Sequence, residues 1–126
     1  MLNNKTKILI VEDDVFLLSM YTTKFELEGY EVVGAEDGET GFQKISKEMP
    51  DIVLLDIMLP NMDGFDVLRT LKADKKVANI PVILLTNLGQ KHEIEEGLAL
   101  GAQDYLIKAH FMPSEVVDKI KKILGN

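Results

Sequence analysis

The sequence contains no cysteine, which excludes disulfides, thiolate nucleophiles and zinc sites built on sulfur. No apolar run approaches the ~20 residues that a bilayer-spanning helix requires. The amino-terminal stretch MLNNKTK also lacks the apolar core and small-residue cleavage site of a secretory signal. These absences predict a cytoplasmic protein without membrane insertion. Positive charge is in deficit, with 14 Lys and Arg against 21 Asp and Glu and a net charge of -7. That balance argues against direct binding to nucleic acid, whose affinity comes largely from Lys and Arg neutralising phosphates; solubility is the other reading of the same charge. Repeats, low-complexity tracts and linkers are missing too, and 126 residues suit one domain with one substantial core. The expectation is a single domain over residues 1–126.

What is present is organised around DIVLLDIMLPNMDG, residues 51–64. Ile52 to Leu55 are apolar without alternation, which reads as a strand covered on both faces, and the run ends on Asp56. Pro60, Asn61 and Gly64 then supply fixed φ, tolerance of the left-handed region and a missing Cβ, so a loop is predicted. A strand-end Asp can present a carboxylate in a cleft or simply cap the following turn. Before this stretch, Lys7–Val11 reads as a buried strand ending on Glu12, Asp13 and Asp14. A helix is predicted over Val15–Glu28, with Asp14 as its cap, Leu18, Tyr21 and Phe25 as its stripe and Gly29 as its stop. A strand over Tyr30–Ala35 follows, and Asp37-Gly38 then turns into a helix with Phe42, Ile45 and Met49 on one side, ended by Pro50. Beyond the central loop, Phe65, Leu68 and Leu71 mark a third helix, and a polar connection runs to Asn79. Pro81 opens the strand Val82–Leu85, which ends on Thr86 before a loop containing Gly89. Ile94 and Leu98, with Gly97 and Gly101 as a small-residue face, describe a fourth helix. Asp104–Ile107 is the last strand, ending on Lys108, and Pro113 starts a final helix striped by Val116, Ile120 and Ile123.

Five alternating β and α elements require right-handed crossovers, hence a doubly wound parallel sheet with helices on both faces. The flavodoxin-like order 2-1-3-4-5 sets strands one, three, four and five side by side and gathers Glu12, Asp13, Asp56, Thr86 and Lys108 at one edge. Three crowded carboxylates repel one another, raising their pKa values unless a cation lies between them. Mg²⁺ is the hard ion suited to a few carboxylate oxygens, waters and a phosphate oxygen, so Asp13 and Asp56 with a main-chain carbonyl form a candidate open site. The Lys108 ammonium can pair with Asp56 or with a phosphoryl oxygen attached to it. Thr86 offers a hydroxyl with few rotamers.

With Val11-Glu-Asp-Asp14, Leu55-Asp-Ile-Met-Leu-Pro-Asn-Met-Asp-Gly64, Leu85-Thr86 and Tyr105-Leu-Ile-Lys108 in this order, the chain resembles the receiver domains of two-component response regulators, the CheY-like family. The spacings of 30 residues from Asp56 to Thr86 and 22 onward to Lys108 also agree, and the resemblance spans essentially the whole chain. It implies a phosphorylation-activated switch in which Asp56 is the phosphoacceptor, served by a histidine kinase or phosphotransfer protein. Asp13, Asp56 and the Met58 carbonyl would hold Mg²⁺, with Glu12 reaching it through water. Lys108 would contact the phosphoryl group, Thr86 would be the switch hydroxyl and Tyr105 the aromatic that follows it. Tyr105 packing plainly on the fourth helix is the other reading. Such a protein catalyses only its own phosphorylation and dephosphorylation and signals to a downstream protein through helix 4, strand 5 and helix 5. No appended output domain is expected. Ala109 stands where the family usually has a proline after the lysine, often cis, and a non-proline cis bond would cost about 2.5–4 kcal/mol. Asn87 replaces the commonly small residue after the switch Thr. His92, His110 and the run Glu93, Glu95, Glu96 are read as solvated.

Two other functions share this topology. An aspartyl-phosphate phosphohydrolase needs an acid two residues after its nucleophile, and Met58 stands there. A flavin module needs main-chain donors after the first strand, where Glu12-Asp13-Asp14 would repel the phosphate. In receivers the side chains two residues beyond the acceptor and two beyond the switch Thr border the path of a hydrolytic water. Here Met58 and Leu88 can exclude that water but not orient it, which predicts a long-lived phosphorylated form, with the Asn87 amide as the complication.

Overall fold

The computed structural model describes residues 5–86, 91–108 and 112–125. Five strands, β1 (Lys7–Val11), β2 (Glu31–Ala35), β3 (Ile52–Asp56), β4 (Val82–Thr86) and β5 (Asp104–Ile107), alternate with helices α1 (Val15–Leu27), α2 (Gly38–Glu48), α3 (Gly64–Ala73), α4 (Lys91–Ala99) and α5 (Pro113–Leu124). The strands form one parallel sheet in the order β2-β1-β3-β4-β5. The unbroken apolar runs explain the centre of that order: β3 and β4 are buried at every residue, a state only strands covered on both faces can reach. Each buried Leu or Ile side chain stabilises the fold by ~1.5–3 kcal/mol relative to exposure.

Strand alternation divides the core in two. Ile8, Ile10, Ile52, Leu54, Ile83, Leu85 and Leu106 meet Tyr21 and Phe25 of α1 and Val116, Val117 and Ile120 of α5. The opposite face sends Leu9, Val11, Val53, Leu55, Val82 and Leu84 onto Ile45 of α2 and Val67, Leu68 and Leu71 of α3. Tyr21 stacks on Phe25 with ring centroids 6.1 Å apart, and Tyr30 meets Phe25 edge-on.

The elements depart from expectation in a few places, each with a physical reason. The first helix stops at Leu27, Glu28 is its cap, and Gly29 follows with φ 94°. Strand β2 begins at Glu31, because the Tyr30 N–H turns back to the Phe25 carbonyl. Met49 does not continue the stripe of Phe42 and Ile45; it is the left-handed C-cap of α2 (φ 48°) and is 44% exposed, since the following Pro50 disfavours the right-handed region at its predecessor. The connection after α3 is less polar than expected, because Val77 reaches the core. In α4 Leu98 is 40% exposed and Gly97 is the buried position. A methyl there would press on the tip of the Leu84 side chain of the underlying strand, which would have to turn aside. Gly101, with φ 112°, belongs to the turn after α4 and is covered by the Lys72 stem. Among the described residues, no helix is long and apolar enough to cross a membrane.

Candidate functional site

The carboxyl ends of β1, β3, β4 and β5 meet, as the strand order requires, and they bring together residues distant in sequence. Glu12 follows β1 at 0% exposure, Asp56 ends β3 at 2%, and Thr86 ends β4 at 2%; these are the buried polar side chains among the described residues. Main-chain bonds lock the strand ends in place. Glu12 N donates to the Ala35 carbonyl at 2.9 Å, Ile57 N to that of Leu85 at 3.1 Å, and Lys108 N to that of Thr86 at 2.8 Å. The last bond fixes Lys108 relative to the Thr86 end of the neighbouring strand.

Lys108 Nζ donates to Asp56 Oδ2 at 2.6 Å and lies 2.9 Å from Glu12 Oε1 as an ion pair. Glu12 Oε1 is fully buried, and among the described residues this ion pair is the contact it has. Its other oxygen, Oε2, accepts from Asp14 N at 3.0 Å. Asp56 Oδ1 accepts from Met58 N at 3.1 Å, so each oxygen of the central carboxylate has one donor. Asp13, exposed beside them, completes an acidic trio whose ligand atoms all lie within 4.8 Å of one another.

The electrostatics follow from burial. Burial pushes the Glu12 carboxyl up to about 7, against the opposing pull of Lys108 and the Asp14 N–H; the Asp56 charge adds a smaller upward push. The upward direction is the one expected of crowded acids, with desolvation as its largest cause. Burial works to lower the Lys108 ammonium, yet Asp56 and Glu12 outweigh it and the net direction is up. Behind the site, Tyr21 is driven upward by burial first and then by the charges of Glu12, Asp56 and Asp14.

Local sequence accounts for the presentation of these groups. Asp14 is the α1 cap, accepting from Phe16 N at 2.9 Å and Leu17 N at 3.2 Å. Asn61 takes φ 70° in the loop after β3. Gly64 opens α3, with its N–H on the Ile57 carbonyl at 2.9 Å, and its missing Cβ is what the position needs, since its φ is not positive. Tyr105 pairs in register with Leu84 and packs half-buried against the α2–α3 face of the core. His92 is fully exposed and 3.9 Å from Glu95. Asn87, Leu88, Gly89, Ala109 and His110 lie outside the described residues, and with them the geometry of the Lys108–Ala109 bond and one wall of the expected water path. The sequence reading missed the Glu12–Lys108 pair, which no motif spacing reveals because it depends on the side-chain reach of Lys108 from the end of β5 past β4 and β3. It also missed Asp37 and Asp63 as helix caps, accepting from Thr40 N and Asp66 N; the Asp-Gly dipeptides were a legible signal for both.

The donor set suits a hard cation. Glu12, Asp13 and Asp56 supply only carboxylate oxygens, and the buried Glu12 Oε1 has unfilled acceptor capacity.

Residues 8–121 match the family model described as the response regulator receiver domain. The probable transcriptional regulator ycf27 of Guillardia theta is 40% identical over 123 residues, which is 98% of this chain and 47% of that protein. The chain thus spans about half the length of the curated relatives it matches. A solved response regulator receiver domain protein (CheY-like) from Methanospirillum hungatei JF-1 superposes with a TM-score of 0.89 at 31% identity, covering 97% of this chain and 95% of that one. The receiver domain of a sensor histidine kinase from Pseudomonas aeruginosa PAO1, described with a magnesium ion coordinated in its active site cleft, gives 0.88 at 27% identity, covering 98% and 100%.

Proposed function

Because the chain belongs to the response regulator receiver domain family, whose general function is a phosphorylation-controlled switch, we propose that Asp56 is the residue that accepts the phosphoryl group. The donor is the phosphohistidine of a histidine kinase or phosphotransfer protein. A carboxylate oxygen of Asp56 attacks phosphorus, a P–O bond forms as the P–N bond breaks, and the imidazole departs with the electron pair. The observation that carries this reading is the buried Asp56 carboxylate held between Lys108 Nζ at 2.6 Å and Met58 N at 3.1 Å. Lys108 is the mobile partner of that pair: a four-carbon stem lets its ammonium follow charge from the carboxylate to a phosphoryl oxygen. Asp13, Asp56 and the Met58 carbonyl would hold Mg²⁺, with Glu12 contributing through water, and the ion would neutralise phosphoryl charge as transfer proceeds.

Thr86 is the proposed switch hydroxyl, and Tyr105, on the adjacent strand, the aromatic that follows it. Phosphorylation would favour one of two arrangements of the surface made by α4, β5 and α5, the face offered to a downstream protein. With a net charge of -7, we assign no direct contact with nucleic acid to these residues. In this reading the chain's only catalysis is of its own phosphorylation and dephosphorylation, and it works in the cytoplasm. Incubation with Mg²⁺ and acetyl phosphate, followed by intact mass measurement, should show a gain of one phosphoryl group that disappears in Asp56→Asn. Equal labelling of that variant would remove Asp56 from the role.

A further inference from the structure

Two Asp-Gly dipeptides, Asp37-Gly38 and Asp63-Gly64, each begin a helix, and both bear on the loop between β3 and α3. Each Asp caps its helix, with Asp37 Oδ1 2.8 Å from Thr40 N and Asp63 Oδ1 2.9 Å from Asp66 N. Each Gly is the first helical residue and is buried. Neither has a positive φ, so backbone conformation does not demand glycine at either position. Space does. A methyl group on Gly38 would overlap the Met62 carbonyl oxygen and lie 2.6 Å from its carbon. One on Gly64 would overlap the Asp56 carbonyl oxygen and lie 2.7 Å from Ile57 Cα. The obstructing atoms are main chain, which cannot swing aside as the end of a side chain can.

We infer that Gly38 and Gly64 are positioning residues that grip the Ile57–Asp63 loop from two sides and, through it, set the Asp56 carboxylate and the Met58 peptide. This rests on Asp56 being the phosphoacceptor. Between the grips the loop is held by its own turns, Met62 N on the Pro60 carbonyl at 2.8 Å and Asn61 at φ 70°. A shift at Met62 therefore passes along the main chain towards Met58, whose N–H bonds Asp56 Oδ1. The start of α2, with no side chain in the acidic cluster, thereby enters the geometry of phosphoryl transfer. A misplacement of ~1 Å at a reacting group can cost on the order of 10²-fold in rate.

The test compares phosphoryl incorporation from acetyl phosphate with Mg²⁺ in wild type, Gly38→Ala, Asp37→Ala and Gly97→Ala, alongside amide spectra of residues 57–63. Gly97→Ala is the control, since its methyl meets the ends of the Leu84 and Phe65 side chains, away from the loop. Gly38→Ala should be slowed by about tenfold to a hundredfold with shifted loop amides, while Gly97→Ala keeps the wild-type rate. Saturating Mg²⁺ should not restore Gly38→Ala, because the fault lies in the carboxylate's placement. A folded Gly38→Ala protein phosphorylated at the wild-type rate overturns the inference. If that variant does not fold, Asp37→Ala decides: loosening the start of α2 should slow incorporation several-fold, and an unchanged rate overturns the inference as well. Failure of the underlying reading is distinguishable, because then wild type itself would not be labelled at Asp56.

Discussion

Replacing Lys108 by Met removes the cation shared by two buried carboxylates while keeping a stem of similar length. Asp56 and Glu12 are 2% and 0% exposed, and the ammonium between them is 2.6 Å from one and 2.9 Å from the other. Leaving a buried charge without its partner costs about 3–5 kcal/mol. Surface pairs give the contrast: Arg69 with Asp66 and Glu96, all about half exposed, is worth ~0–1 kcal/mol. For a domain of this length, Lys108→Met should thus lower Tm by on the order of 10 °C, and Arg69→Ala by a small fraction of that. The pH dependence has a definite sign. Glu12 has a folded pKa raised to about 7 from 4.5, so the folded state holds a proton that the unfolded state releases. Its contribution therefore becomes less favourable as pH rises from about 4.5 to about 7. Without Lys108 the Glu12 carboxyl rises further, and the variant's deficit should be smaller at pH 6 than at pH 8. Added Mg²⁺ should recover part of the loss by binding the folded state. Thermal and urea unfolding at both pH values, with and without Mg²⁺, are the assays. A loss below ~1 kcal/mol at pH 8 would show that the two carboxylates are not held charged by Lys108, refuting the reasoning.

Further outcomes follow from single contacts. Asp14→Ala removes the acceptor for Phe16 N and Leu17 N and should cost about 1 kcal/mol in urea unfolding. Tyr21 is raised above its ordinary value by burial, so its contribution to stability is retained up to about pH 10 and falls as pH rises beyond; absorbance titration should find it the last tyrosine to ionise, and Tyr21→Phe should remove that component. Asp13→Ala should abolish Mg²⁺ binding measured by calorimetry. Met58, beside the acceptor and 60% exposed, cannot orient a hydrolytic water, so Met58→Asn should shorten the lifetime of the phosphorylated form, read as a dephosphorylation time course.

Much of this was legible in the sequence for definite reasons. Ile52–Leu55 and Val82–Leu85 announced central parallel strands because only burial on both faces tolerates four consecutive apolar residues, and strand alternation with helices then dictated which ends meet. Asp56, Glu12, Thr86 and Lys108 were placed together by that topology alone. Met49 was misread because periodicity cannot register that a following proline turns the chain out of the helix. In α4 the closely packed small-residue face holds at Gly97, which leaves Leu98 turned outward, whereas Gly101 falls in the turn beyond the helix. The tight approach of Gly38 to Met62 was invisible, since it is a contact between main chains from separate elements.

The central claim is that Asp56 carries the phosphoryl group. After incubation with acetyl phosphate and Mg²⁺, borohydride reduction converts an aspartyl phosphate into homoserine, and peptide mass mapping locates it. The account predicts homoserine at position 56 and unmodified Asp13 and Glu12; homoserine at another position, or phosphate on a hydroxyl or imidazole, would contradict it.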